Sequence, residues 1–175
     1  MVIPAAGDVR LFGLSATTPG RTVQAEGYLA VAPSGEAAQL RSGSGARAFV
    51  THGAGVALLA ADFDRKGGTV VSGEAPAGAS VSVTVDDQKR GVAKAGADGR
   101  FLLALNEPLK PGAHSILAEA GGVRAQKILI LSVPPHPSGG PFQARIVDGG
   151  WEIDWLTPGG GVQSTVLYQA SGPDA

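Results

Sequence analysis

Glycine and proline recur along the whole of this chain, 27 and 12 times in 175 residues, and that distribution constrains the fold more than any other feature. Gly disfavours a helix through backbone entropy, and Pro lacks the N–H that a helix interior needs. Spread as they are, they leave almost no window long enough for a stable helix, so an all-helical fold is nearly excluded. The chain is still expected to fold. Its hydrophobic fraction is 43%, Val, Leu and Ile recur throughout, and the net charge is only −1. The expected class is all-β, with chain enough for one large or two small domains.

The absence of cysteine removes disulfides, thiolate catalysis and Cys-based zinc or iron–sulfur sites. With 14 basic and 15 acidic side chains and no Lys/Arg run, there is no electrostatic footprint for nucleic acid or an anionic membrane. The longest apolar run, 128–133, has the length of a strand, far short of the roughly 20 residues of a membrane span. Residues 1–7 read as an N-terminal extension without the basic and apolar regions of a signal peptide. Met1, the only methionine, suits a mature exported domain behind an added start codon, and equally a cytoplasmic chain.

Residues 66–134 read as short alternating strands divided by turns. In 79–85, Val81, Val83 and Val85 face one way and the hydroxyls of Ser80, Ser82 and Thr84 the other. A polar turn, 86–90, leads to a weaker strand at 91–95. Asp98-Gly99 then marks a tight hairpin into 100–105, where Phe101, Leu103 and Leu105 share a face. Pro108 and Pro111-Gly112 interrupt the chain before 114–120, and Gly121-Gly122 turns it into 123–133. Six or seven strands in this span suggest a sandwich.

The turn residues carry a resemblance. Pro76 and Gly78 precede the second strand, Asp98-Gly99 sits in the central hairpin, and Pro111-Gly112 precedes the penultimate strand. In these marks the segment resembles the bacterial immunoglobulin-like (Big-type) domains of exported cell-envelope proteins. The resemblance implies an immunoglobulin-like β-sandwich in a periplasmic or cell-surface setting, and it brings no catalytic residue.

The flanks also look like strands, at 9–14, 21–32, 46–51 and 56–63 before the module and 164–170 after it. A Pro/Gly linker at 134–141 precedes the clearest hairpin in the chain. With a two-residue turn at Asp148-Gly149, Ile146 pairs with Trp151, Arg145 with Glu152, Ala144 with Ile153 and Phe142 with Trp155. One face is then apolar, and Arg145–Glu152 is an ion pair on the other. A lone hairpin is marginal, so this face needs a partner, and the N-terminal strands supply one. The expected organisation is a discontinuous second β domain, 8–64 plus 141–171, with the module inserted between. The alternative is two separate units in a row.

Several motifs invite chemistry. His52-Gly53-Ala54-Gly55 lacks the helix that a phosphate cradle needs, and Gly159-Gly160-Gly161 lacks the Lys-Ser/Thr of a P-loop, so it reads as a hinge or contact loop. His52, His114 and His136 have no ligand-spaced partners and read as surface histidines. The stretch 62–67 imitates a calcium loop but places Lys66 at a ligand position. Asp86-Asp87 reads as a solvated turn neutralised by Lys89 and Arg90, and Glu152 and Asp154 as the wet face of a strand.

The resulting expectation is a non-catalytic structural or adhesive envelope component, without cofactor or metal, that meets a protein partner or its own copies at sheet edges. The alternative is a carbohydrate-binding accessory domain of cell-surface polysaccharide. Its candidate contacts are Trp151, Trp155 and Tyr168, with Gly160 in the adjoining loop.

Overall fold

The computed structural model describes residues 8–49 and 55–169, among which only the side chains of Leu14, Gln24 and Glu26 are left out. The strands are β1 (Arg10–Thr18), β2 (Arg21–Val31), β3 (Ala37–Arg41), β4 (Arg47–Ala48), β5 (Ala57–Asp64), β6 (Thr69–Glu74), β7 (Ser80–Val85), β8 (Gln88–Lys94), β9 (Arg100–Ala104), β10 (Gly112–Ala120), β11 (Val123–Leu131), β12 (Phe142–Val147), β13 (Gly150–Leu156) and β14 (Val162–Tyr168). The protein is all-β, built from antiparallel sheets of order β1-β2-β3-β4, β12-β13-β14-β5-β6-β9 and β11-β10-β7-β8.

The six-stranded sheet is covered on both faces. On one, Trp151, Ile153, Trp155, Leu167 and Ala60 pack against Ala30, Ala38 and Leu40 of the first sheet. On the other, Phe63, Val71, Phe101, Val166 and Tyr168 meet Val81, Val83, Val85, Ile116 and Leu129 of the third. A bulge in β5 between Leu58 and Ala60 re-aims the strand, so Leu58, Ala61 and Phe63 serve the second core while Ala60 serves the first.

The 142–155 hairpin has the expected register, with Ile146 opposite Trp151, Arg145 opposite Glu152 and Phe142 opposite Trp155. Its apolar face packs on the N-terminal strands. The C-terminal β14 pairs with β5, and the same sheet continues into β6 and β9 across the 65–68 turn.

Three local expectations are corrected. Asp98-Gly99 does not join a hairpin: β8 pairs with β7, whereas β9 pairs with β6. The turn, closed by Gly96 N–H to Arg100 O and Gly99 N–H to Gly96 O, carries the chain from one sheet to another. A turn signal fixes a reversal and leaves open which sheet the next strand joins. Residues 37–41 form a strand that the sequence did not announce, while the expected 46–51 strand is the two-residue β4; residues 50–54, including His52, lie outside the described region. Glu152 and Asp154 are buried rather than wet, at 3% and 0% exposure, because Glu152 pairs with Val166 on the face covered by the third sheet.

Asp86 and Asp87 form the β7–β8 turn, both at positive φ, and Asp86 is tied rather than free. Its Oδ2 lies 2.6 Å from His114 Nδ1, its Oδ1 accepts the Ser115 N–H at 2.9 Å, and His114 Nε2 meets Lys110 O at 2.7 Å. His114 is thus a half-buried side chain paired with an exposed carboxylate, while Arg90 turns instead to Glu107 at 2.5 Å. Burial opposes charge on His114, but the Lys110 carbonyl and Asp86 outweigh it and raise its pKa; the His114 contact and the Ser115 N–H lower that of Asp86. The carboxylate's contribution is present above its unfolded value of 3.8, and the imidazolium's is present below 6.5 and lost through its raised native value. Asp86→Asn, which keeps the Ser115 contact and suits positive φ, should therefore lower the urea midpoint more at pH 5.5 than at pH 8. An equal loss at both would show that the pair acts without charge.

Candidate functional site

The first sheet ends in a projecting ribbon. Beyond the irregularity between Gly13 and Ser15, β1 and β2 pair from Ser15–Gln24 to Thr18–Arg21, whereas β3 pairs with β2 only over 27–31. Every described side chain from 15 to 25 is exposed, so this part of the hairpin buries neither face. At its root β2 approaches β3 so closely that a Cβ on Gly27 would lie 2.0 Å from Leu40 O.

Beside that root, the 42–46 turn is fastened to the six-stranded sheet by a buried polar stripe. Gln163 Oε1 accepts the Gly43 N–H at 3.3 Å, Asp62 Oδ2 accepts the Ala46 N–H at 2.6 Å, and Ser72 Oγ donates to Ala46 O at 2.8 Å. Asp62 Oδ1 in turn accepts Thr165 Oγ1–H at 2.6 Å and Gln163 Nε2–H at 3.2 Å. Gly45 is held at φ +75°, where a Cβ would meet Leu102 Cδ1 at 2.6 Å and Val70 Cγ1 at 2.9 Å. Burial pushes the Asp62 carboxyl up to about 6 against the opposing pull of Thr165, Ala46 and Gln163. The calcium reading of 62–67 therefore fails: Asp62 points into this stripe, and Asp64 Oδ1 accepts the N–H groups of Lys66 at 2.7 Å and Gly68 at 3.0 Å.

Ribbon root, turn and the loop after β13 together enclose a groove of about 750 Å³. Phe12, Tyr28, Leu29 and Phe49 give it apolar walls, and Gln39, Arg41, Ser42 and Ser44 give it donors. No acidic side chain lines it among the described residues, so Arg41 makes the groove cationic. Its floor rests on the first core: Tyr28 meets Trp155 edge-to-face at 5.8 Å, and Trp155 Nε1–H donates to Thr165 Oγ1 at 3.1 Å. Sequence reasoning missed this site, because Phe12 of β1, Leu29 of β2 and Phe49 just after β4 are far apart in sequence and converge through the pairing of the first sheet.

The residues expected to touch a glycan fare differently. Trp155, Tyr168 and Trp151 are 0%, 4% and 8% exposed, so none presents a ring face to a ligand, and the expectation is corrected. Both tryptophans fill the first core, and Tyr168 fills the second beneath Lys127 Nζ, 5.8 Å from its ring centre. Burial raises the Tyr168 phenol, whose oxygen has no hydrogen-bond partner among the described residues. Gly160 is exposed, and its loop is closed rather than hinge-like: Gly160 N–H donates to Thr157 O, and Thr157 N–H to Gly161 O, both at 2.8 Å. The adjoining Gly159 lines the groove, which gives that loop a place beside the candidate site.

A second polar cluster lies at the far edge of the six-stranded sheet. Arg145 donates at 2.6 Å to both Glu152 Oε1 and Asp154 Oδ2, and Asp154 also takes Gln143 Nε2–H at 3.1 Å and the Ser164 hydroxyl. Burial raises the Glu152 pKa, Arg145 lowers it, and Asp154 raises it. Both Asp154 oxygens and Glu152 Oε1 are committed to the clamp, which locks β12 onto β13 and β14. Among the described residues no group of three His, Asp or Glu side chains could hold a metal ion, and no helix is long and apolar enough to cross a membrane. Compared with protein-family models, curated proteins and solved structures, the chain has no match.

Proposed function

We propose that the chain is a non-catalytic structural or adhesive unit of a bacterial cell envelope or surface assembly, acting through protein–protein contacts. The observation that carries this reading is the β1–β2 ribbon, which stands clear of the body and buries nothing of its own. A two-stranded ribbon is marginal in water, and a partner seated on it supplies the missing face. The groove at its root offers apolar walls and one cation to the same partner. The polar clusters support a structural part over a chemical one: Asp62 holds a turn, His114 and Asp86 hold each other, and Glu152 and Asp154 hold Arg145. The exported setting rests on the turn residues of the central segment, which resemble immunoglobulin-like envelope modules.

A photo-crosslinking residue at Val23 or Phe49, introduced in the chain's own cells, tests the reading. Adducts that survive glycan digestion and disappear with protease are expected, with none from Val92 on the third sheet. A second reading, an acidic carbohydrate in the groove, is favoured by the aromatic walls beside Gln39 and Arg41. It predicts adducts lost on glycan digestion, and no adduct from either position would overturn both.

A further inference from the structure

We infer that β12 is a self-complementary docking edge, through which two copies join their six-stranded sheets across a two-fold axis at Ala144. This rests on the reading of the chain as an assembly unit and names one partner, a second copy.

The register of the last hairpin decides which backbone groups of β12 are free. Leu156 N–H donates to Pro141 O at 2.9 Å, and the ladder continues in the same register to Val147 opposite Gly150. Residues 141, 143, 145 and 147 therefore turn their N–H and C=O groups toward β13. Phe142, Ala144 and Ile146 turn theirs outward, at the end of the sheet order, where none meets a partner among the described residues. Ile146 is 75% exposed, more than any other large hydrophobic side chain described. Proteins blunt such edges with proline, bulges or unpaired charge, and between Pro141 and Asp148 this strand has none of them.

The strand's own pattern selects the occupant. In an antiparallel pair with a copy of itself centred on Ala144, Phe142 faces the copy's Ile146, and Gln143 faces its Arg145. All outward groups then fall in hydrogen-bonded pairs: Phe142 with Ile146, Ala144 with Ala144, Ile146 with Phe142. Apolar residues meet apolar ones on the face that carries Trp151, and polar residues meet on the other. Centring on Arg145 would set two guanidiniums directly opposite each other, and centring on Gln143 would leave Ile146 facing glycine. Arg145 is no obstacle in the favoured register, because Glu152 and Asp154 already match its charge. The contact is isologous and closes at two copies. Edge pairing of this length buries little area, so the dimer is concentration-dependent.

The natural chain has no cysteine, so one introduced thiol reports the register. Ala144→Cys brings the two Cα atoms to about 5.5 Å, within disulfide range. Under mild oxidation it should crosslink in high yield, while Thr17→Cys and Val92→Cys should not. Light scattering of the full chain should show a concentration-dependent rise from 17.5 kDa toward twice that mass. Ala144→Pro removes only an outward N–H, and Ile146→Lys puts a charge on the edge; either should abolish the rise. If one of them misfolds, the other carries the test. A monomer at every concentration, or equal crosslinking at the control positions, would overturn the inference. Protein adducts at Val23 with a strictly monomeric chain would sink this edge and leave the assembly reading standing. A dimer without such adducts would do the reverse for the hairpin partner.

Discussion

Trp155→Ala should destabilise the protein by about 3–5 kcal/mol, and Trp151→Ala by clearly less. Trp155 is fully buried between the first and second sheets, whereas Trp151 retains 8% exposure and lies beside the hairpin turn. Truncating Trp155 opens a cavity, removes the edge-to-face contact with Tyr28 and leaves Thr165 Oγ1 without the indole donor. Because Tyr28 lines the groove, the damage reaches the candidate site as well as the core. Urea unfolding gives the stability loss, and intrinsic fluorescence of the native chain gives a second readout: emission should be blue-shifted and protected from iodide. A loss below about 1 kcal/mol with efficient quenching would mean that Trp155 is a surface residue after all.

The same strand explains how far the sequence could be read. Alternation placed Val81, Val83 and Val85 in a core, and all three are fully buried. The Asp148-Gly149 turn set the register of the last hairpin, and its apolar face found the N-terminal strands. Both inferences used neighbours close in sequence, where turn geometry and period 2 are decisive. What failed was the assumption that a polar side means a wet side. In β13 and β14, Glu152, Asp154, Gln163, Ser164 and Thr165 are all buried, because a middle sheet in a three-layer protein has no solvent face. Strands buried on both faces usually read as continuous apolar runs; here hydrogen bonds to Arg145, Gly43, Asp62 and Ser164 replace water instead. That third layer could not be read from strand patterns, since the pairing of β14 with β5 spans about a hundred residues of intervening chain. The groove shares the difficulty. Its walls come from strands and loops far apart in sequence, and sheet pairing together with the fastening of Gly43 and Ala46 to Gln163 and Asp62 brings them together.

Asp62 is where that fastening can be measured. Its native pKa of about 6 lies above the unfolded 3.8, so between these values the folded state holds more protons than the unfolded one. Stability must then fall as pH rises from about 4 to 6 and run level above, the reverse of a salt-bridged carboxylate. The interval corresponds to about 3 kcal/mol from this group. Glu152, also raised by burial, adds a slope of the same sign. Asp62→Asn keeps an acceptor for the Ala46 N–H and can donate to Thr165, yet carries no charge at any pH. It should match or exceed the natural protein at pH 7.5 and lose most of the fall between pH 4 and 6. Asp62→Ala strands the Ala46 N–H and the donors of Thr165 and Gln163, and should cost about 1–3 kcal/mol or more across the range. Urea midpoints of the three proteins at pH 4.5, 6 and 7.5 decide the matter. A natural protein whose stability climbs through that window while Asp62→Asn stays parallel to it would mean that Asp62 is charged and comfortable. The turn that frames the groove would then be held by a carboxylate that titrates as it does in the unfolded chain, rather than by one whose protonation near pH 6 changes how firmly Ala46 is gripped.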